Sequence, residues 1–200
     1  MFYTDAKVQF DVRVEKPNAL FAKRLQQAIG GTEGEIRVCM QYMFQAWAMT
    51  KKSNKYRSLL LYTAAEELSH IEMLATAVAK NLSNAPVDLQ EDAAYRNPMV
   101  KSILDGLKPR QAFDDCLHAM PMNSQGAAWS SECIVVSGDL IGDMYANLMA
   151  EVTGIALAKR LYQQTNDRGM QHMLKHIIER DKLHQKQWLT VLAELGELTV

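Results

Sequence analysis

Along the first eighteen residues, Val8, Phe10, Val12 and Val14 alternate with polar residues, and Pro17-Asn18 ends the run. That period predicts a short, half-buried strand acting as an N-terminal extended arm over 1–17. Asn18 is placed to cap a helix reaching about Ile29, and Gly30-Gly31 closes it where left-handed backbone angles are expected. Thr32 then restarts a helix, with Glu35 three residues on as its capping-box partner.

From there the period changes to that of a helix. Glu35, Cys39, Tyr42, Ala46 and Met49 recur at steps of four and three, and Lys51 to Asn54 ends the stripe. Tyr56, Leu60, Thr63, Glu67, His70, Leu74 and Val78 form a second stripe, on a helix from Lys55 to about Asn81, roughly 40 Å long. Residues 82–130 lose the pattern and carry Pro86, Pro98, Pro109 and Pro121, so they read as a long crossover with short helical pieces. Two more stripes follow: Leu140, Met144, Asn147, Glu151, Gly154, Ala158 and Leu161, then Leu174, Ile177, Asp181, His184, Trp188, Val191 and Leu195. Four long amphipathic helices with one long crossover predict an all-α, ferritin-like four-helix bundle, and 200 residues fit a single domain.

Each stripe contains ionisable side chains where apolar ones belong: Glu35, Glu67, His70, Glu151, Asp181 and His184. An unpaired carboxylate in a protein interior costs several kcal/mol, so a group of them needs compensation. Two divalent cations would supply it against Glu35, Glu67 and Glu151. Glu67 and His70 are three residues apart on one helix face, and Asp181 and His184 repeat the offset. A Glu from each of two helices with Glu-x-x-His from the other two is the pattern of di-iron and di-manganese bundles, Asp181 departing from the fourth Glu. Any one part has a plainer reading. Glu35 could serve only as a cap, Glu151 as a solvated edge residue, and Glu66 and Glu72 as surface polarity; the coincidence across four helices carries the metal reading. Tyr42, two turns after Glu35, is placed either to hydrogen-bond a ligating carboxylate or to pack as an ordinary core tyrosine. His118, His172 and His176 lie off the stripes and read as solvated.

Composition narrows the partners. Acidic and basic residues nearly cancel, 23 against 22, which favours neither nucleic acid nor anionic lipid. Cys39, Cys116 and Cys133 are an odd number without a close pair, which fits a reducing compartment better than a disulfide framework. No leader pattern or membrane-spanning apolar run is visible, so a cytoplasmic protein is expected.

The chain resembles the manganese catalases from the arm to Leu195. The resemblance rests on Gly30-Gly31-Thr32-Glu33-Gly34-Glu35, Glu66-Glu67-Leu68-Ser69-His70-Ile71-Glu72-Met73, Asn123 to Trp129, and Ser137-Gly138-Asp139-Leu140 with Asp143-Met144. It implies two manganese ions per subunit, one bound by Glu35 and His70, the other by Glu151 and His184, with Glu67 bridging. It further implies hydrogen peroxide as substrate, Asp181 as a proton relay in the place of a glutamate, and Tyr42 just outside the ligands. Ala150 stands where some members have a channel arginine. The chain stops at Val200, like short members that include spore coat proteins, where longer ones extend. A homo-oligomer, hexameric in the family's usual form, is expected. Two other readings remain open at this stage. One is a di-iron oxidase or ferroxidase, since carboxylates and imidazoles also accept iron. The other is a spore-coat-like assembly protein that keeps the metal site to stabilise the bundle.

Overall fold

The computed structural model describes residues 10–49, 54–83 and 118–198. Val8, the helix end read at Lys51, the crossover with Pro86, Pro98 and Pro109, and Cys116 lie outside the described residues. Among the described residues five α-helices carry the fold: α1 (Ala19–Gly30), α2 (Glu35–Ala48), α3 (Arg57–Ser83), α4 (Leu140–Gln163) and α5 (Arg168–Glu194). Short connections lay α2 against α3 and α4 against α5, and these two hairpins form the bundle, with α1 packed along α3. Among the described residues no helix is long and apolar enough to cross a membrane.

The stripes face inward as their spacing predicts. Only Met49, Leu140, Gly154 and Leu195 among them fall short of full burial. The apolar interior is divided into two large clusters. One joins Phe21, Leu25, Met73, Leu74, Met170, Met173 and Ile177; the other joins Tyr42, Leu60, Ala64, Met144, Trp188 and Val191. Glu67, His70, Asp181 and His184 occupy the sequence positions between the two clusters on α3 and α5.

Three local expectations need correction. The alternation of Phe10, Val12 and Val14 does not form a strand among the described residues. Val12 is buried and Phe10 and Val14 pack beside it, so the alternation reports one face of an unpaired extended segment lying on the helices. Thr32 and Glu35 form no capping box: α2 begins at Glu35, behind Gly34, with no side-chain cap. Nor does Gly30-Gly31 end α1 in left-handed backbone, since Gly31 is extended at φ −73°. Close approach is the reason for a glycine here, because a Cβ on Gly30 would meet the backbone of Met122 at 2.5 Å. The returning crossover rests on this corner, where Gln26 Nε2 also donates to the carbonyl of Met122 at 2.8 Å. Asn18 does cap α1, accepting from Phe21 N at 3.0 Å.

Asp167 fastens the arm to the bundle. Its Oδ1 accepts from Met170 N at 2.9 Å and so caps α5, while Oδ2 accepts from Glu15 N at 2.7 Å and Lys16 N at 2.6 Å. Gly169 lets the arm come this close, since a Cβ there would stand 2.1 Å from Arg13 O. Asp167→Ala removes a helix cap and leaves two arm N–H groups without their acceptor. It is expected to destabilise the protein by about 2–4 kcal/mol, read as a lowered midpoint in denaturant unfolding.

Candidate metal centre

All six ionisable stripe residues come together. Glu35 enters from the first residue of α2, Glu67 and His70 from mid-α3, Glu151 from mid-α4, and Asp181 and His184 from α5. All are buried, Glu67 and His70 completely. Glu67 lies between the two imidazoles, with Oε2 2.8 Å from His70 Nδ1 and Oε1 2.8 Å from His184 Nδ1. Glu35 approaches His70 Nδ1 at 3.7 Å, Glu151 approaches His184 Nδ1 at 3.7 Å, and Asp181 Oδ1 is 3.6 Å from His70 Nδ1. The two rings are 6.1 Å apart between centroids.

These donor atoms are close without being paired. Both oxygens of Glu67, both nitrogens of His70 and His184, and Oδ1 of Asp181 are buried with no hydrogen-bond partner. Atoms that approach to 2.8 Å without an aligned hydrogen bond keep lone pairs available for a common ion. Orphaned buried polar atoms are otherwise scarce in native proteins. Glu67, Glu151, Asp181 and His184 form one set able to hold an ion, and Glu35, His70 and Asp181 another. Carboxylate oxygens with imidazole nitrogens suit first-row divalent metals such as manganese or iron.

Without a cation the cluster stores protons. Burial pushes Glu35 up to about 7 and Glu151 up to about 8, and their carboxylate neighbour Glu67 adds to both shifts. Asp181 is driven well above the usual carboxylate range by burial and then by Glu35, Glu151 and Glu67. Burial opposes charge on Glu67 too, but His70 and His184 outweigh it and hold it down at about 2. Burial also disfavours the imidazolium of His184, yet Glu66, Glu67 and Glu151 raise it to about 10.

Residues around the cluster fix parts of it. The Tyr42 hydroxyl donates to Glu151 Oε1, and Trp188 Nε1 reaches the same oxygen at 3.5 Å. Of the two uses open to Tyr42, it therefore makes the contact with a cluster carboxylate. Glu66, expected at the surface, is a correction: Arg180 grips both its oxygens, the Nη2 contact being 3.0 Å, and Oε2 lies 3.3 Å from His184 Nε2. Asn147, read as a stripe residue, joins α2 and α4 through Gln41 and Gln45, each bond 2.7 Å. Gln41 Oε1 and Gln45 Nε2 then hold the backbone of Val135, tying the end of the crossover to the bundle. Ala150 is buried beside Glu151 and brings no charge. His172 is exposed as expected, whereas His176 is only partly so, and Phe10 covers both rings at about 5 Å.

A family model for manganese-containing catalase matches residues 1–199. The chain belongs to the manganese catalase family. It is 45% identical to a manganese catalase of Bacillus subtilis over 98% of this chain and 71% of that one. It is 34% identical to a manganese catalase of Lactiplantibacillus plantarum, over 98% and 73%. The manganese catalase KatB from Anabaena superposes with a TM-score of 0.82 at 26% identity, covering all of this chain and 83% of that one. The ferritin-like bundle expected of a manganese catalase is thus the fold this chain has.

Protons and a cation compete for the same atoms. Loading the metal-free protein with manganese at pH 7 is therefore expected to release roughly two or more protons per chain, and the affinity should rise between about pH 6 and 9. Calorimetric titration in buffers of different ionisation enthalpy measures both.

Proposed function

We propose that this manganese catalase disproportionates two molecules of hydrogen peroxide to two of water and one of dioxygen, using two manganese ions per chain. The convergence of unpaired Glu67, His70, Asp181 and His184 atoms at one level of the bundle carries the reading. In it Glu35 and His70 hold one ion, Glu151 and His184 hold the other, and Glu67 lies between them with one oxygen toward each imidazole. The bound pair supplies a two-electron store and polarises peroxide oxygen.

The protein's own groups do the rest. Tyr42 and Trp188 hold Glu151 in one orientation, so a ligating carboxylate need not search for its position. Asp181 is the proton relay: its buried Oδ1 has no hydrogen-bond partner and faces the cluster, 3.6 Å from His70 Nδ1. It takes the two protons of the peroxide being oxidised in turn and passes them to the oxygens of the peroxide being reduced, which leave as two waters. The closely packed apolar clusters on either side keep bulk water from the exchange. We also place the protein in a reducing cytoplasm, supported by the free thiols of Cys39 and Cys133. Exposed Trp47, Tyr62, Leu68 and Met149 support a homo-oligomer, for which the hexamer usual among manganese catalases is our reading.

Oxygen release and elemental analysis on the same manganese-supplied preparation test the reading. About two manganese per chain with rapid oxygen release is the expected result. Bound metal without release, or iron alone with oxygen consumed, would overturn it. Glu67→Gln should lose manganese and at least about 100-fold in oxygen release. Asp181→Asn should keep both ions and lower kcat by about 10²- to 10⁴-fold; loss of an ion would make Asp181 a ligand and not the relay.

A further inference from the structure

Glu66 is a charged group that the proposed chemistry does not use. It follows Thr63 by three residues on α3, and Arg180 precedes His184 by four on α5, so both belong to the seam between these helices. Arg180 donates to both oxygens of Glu66, from Nε and, at 3.0 Å, from Nη2. This forked contact fixes the carboxylate in two dimensions, which a single ammonium contact does not. The pair is partly shielded, with side-chain exposures of 20% for Glu66 and 37% for Arg180. One turn along, Gln187 Nε2 donates to Thr63 Oγ1 at 2.7 Å. His184 thus lies between two cross-links, Arg180 to Glu66 four residues before it and Gln187 to Thr63 three after.

The orientation of the imidazole follows. Glu66 Oε2 is 3.3 Å from the outer nitrogen, Nε2, while Nδ1 faces Glu67 and Glu151. A carboxylate 3.3 Å from Nε2, close enough for charge attraction although not aligned as a hydrogen bond, favours the tautomer with its proton on Nε2 and leaves the Nδ1 lone pair free to bind a cation. His70 presents Nδ1 to the cluster in the same way. Among the described residues, however, no carboxylate stands within ion-pair distance of its Nε2.

We infer that Glu66, clamped by Arg180, is a positioning residue that holds His184 with Nδ1 toward the cluster, so that the Glu151–His184 metal position depends on this pair and the Glu35–His70 position does not. The inference rests on the two-ion reading above. It makes the two positions unequal through groups that touch neither ion.

Titration of the metal-free full chain with manganese against a competing chelator tests it in wild type, Glu66→Ala, Glu66→Gln, Arg180→Ala and the double variant Glu66→Ala/Arg180→Ala. Glu66→Ala is expected to weaken one of the two equivalents by about 10- to 100-fold and leave the other within about threefold. Glu66→Gln, which keeps an acceptor oxygen, should recover part of that loss. Arg180→Ala should give a smaller loss in the same equivalent, and the double variant should be no worse than Glu66→Ala, because Arg180 acts through Glu66. Electron paramagnetic resonance provides a readout that a general loss of stability does not mimic. At manganese levels that fill both positions of wild type, Glu66→Ala should show the six-line signal of an isolated ion in place of a coupled pair. Unchanged affinity for both equivalents, or equal weakening of both with the circular dichroism intact, would overturn the inference. Should Glu66→Ala fail to fold, Glu66→Gln and Arg180→Ala carry the same comparison. A wild-type chain that binds no manganese would instead overturn the two-ion reading, and this inference with it.

Discussion

Four carboxyl groups share one level of this bundle's interior, and the rest of the structure is arranged around the cost of that crowding. Left to themselves they cannot all ionise: burial and their mutual repulsion raise the proton affinities of Glu35, Glu151 and Asp181. Glu67 is the exception because it alone has an imidazole on each side. The metal-free site is therefore a compromise in which protons stand in for cations. Replacing those protons with divalent ions lets every carboxylate ionise at once.

That layer also sets where apolar packing can occur. Leu60 and Ala64 precede Glu67 on α3 and belong to one cluster; Met73 and Leu74 follow His70 and belong to the other. On α5, Ile177 and Trp188 fall on opposite sides of Asp181 and His184 in the same way. The two clusters bury enough side chain to hold the helices in register, and register is what brings donor atoms from four helices to a common level. Polar cross-links such as Gln41–Asn147–Gln45 secure α2 against α4, the contact on which the relation of Glu35 to Glu151 depends.

Most of this was legible because helical spacing is local information. A step of three or four residues places Glu67 with His70 and Asp181 with His184 whatever else the chain does, and an ionisable group in an otherwise apolar stripe is conspicuous. What escaped depends on pairs distant in sequence. Glu66 looked like surface polarity because its partner, Arg180, is 114 residues away; a charge beside each ligand on facing helices was the available signal. The arm's alternation was real, but period two says only that one face is buried, and helices can supply that burial as well as a sheet. Gly30 was assigned to backbone angle when the constraint was the approach of Met122, a segment far along the chain.

The surroundings of the two halves of the cluster differ more than their ligands do. Glu151 is held by Tyr42 and Trp188, and His184 is flanked by Glu66 and Arg180, so the α4–α5 half is fixed from outside. Among the described residues Glu35 and His70 have no comparable set: Glu35 stands at the start of α2 without a side-chain cap, and the ion-pair contacts of His70 are those within the cluster. Asp181 is common to both halves: its Oδ1 is 3.6 Å from His70 Nδ1, and it also lies in the set with Glu67, Glu151 and His184. In the two-ion reading proposed above, one position would be held rigid and the other would be free to adjust its ligands, which would limit reorganisation at the first and leave room for an added ligand at the second.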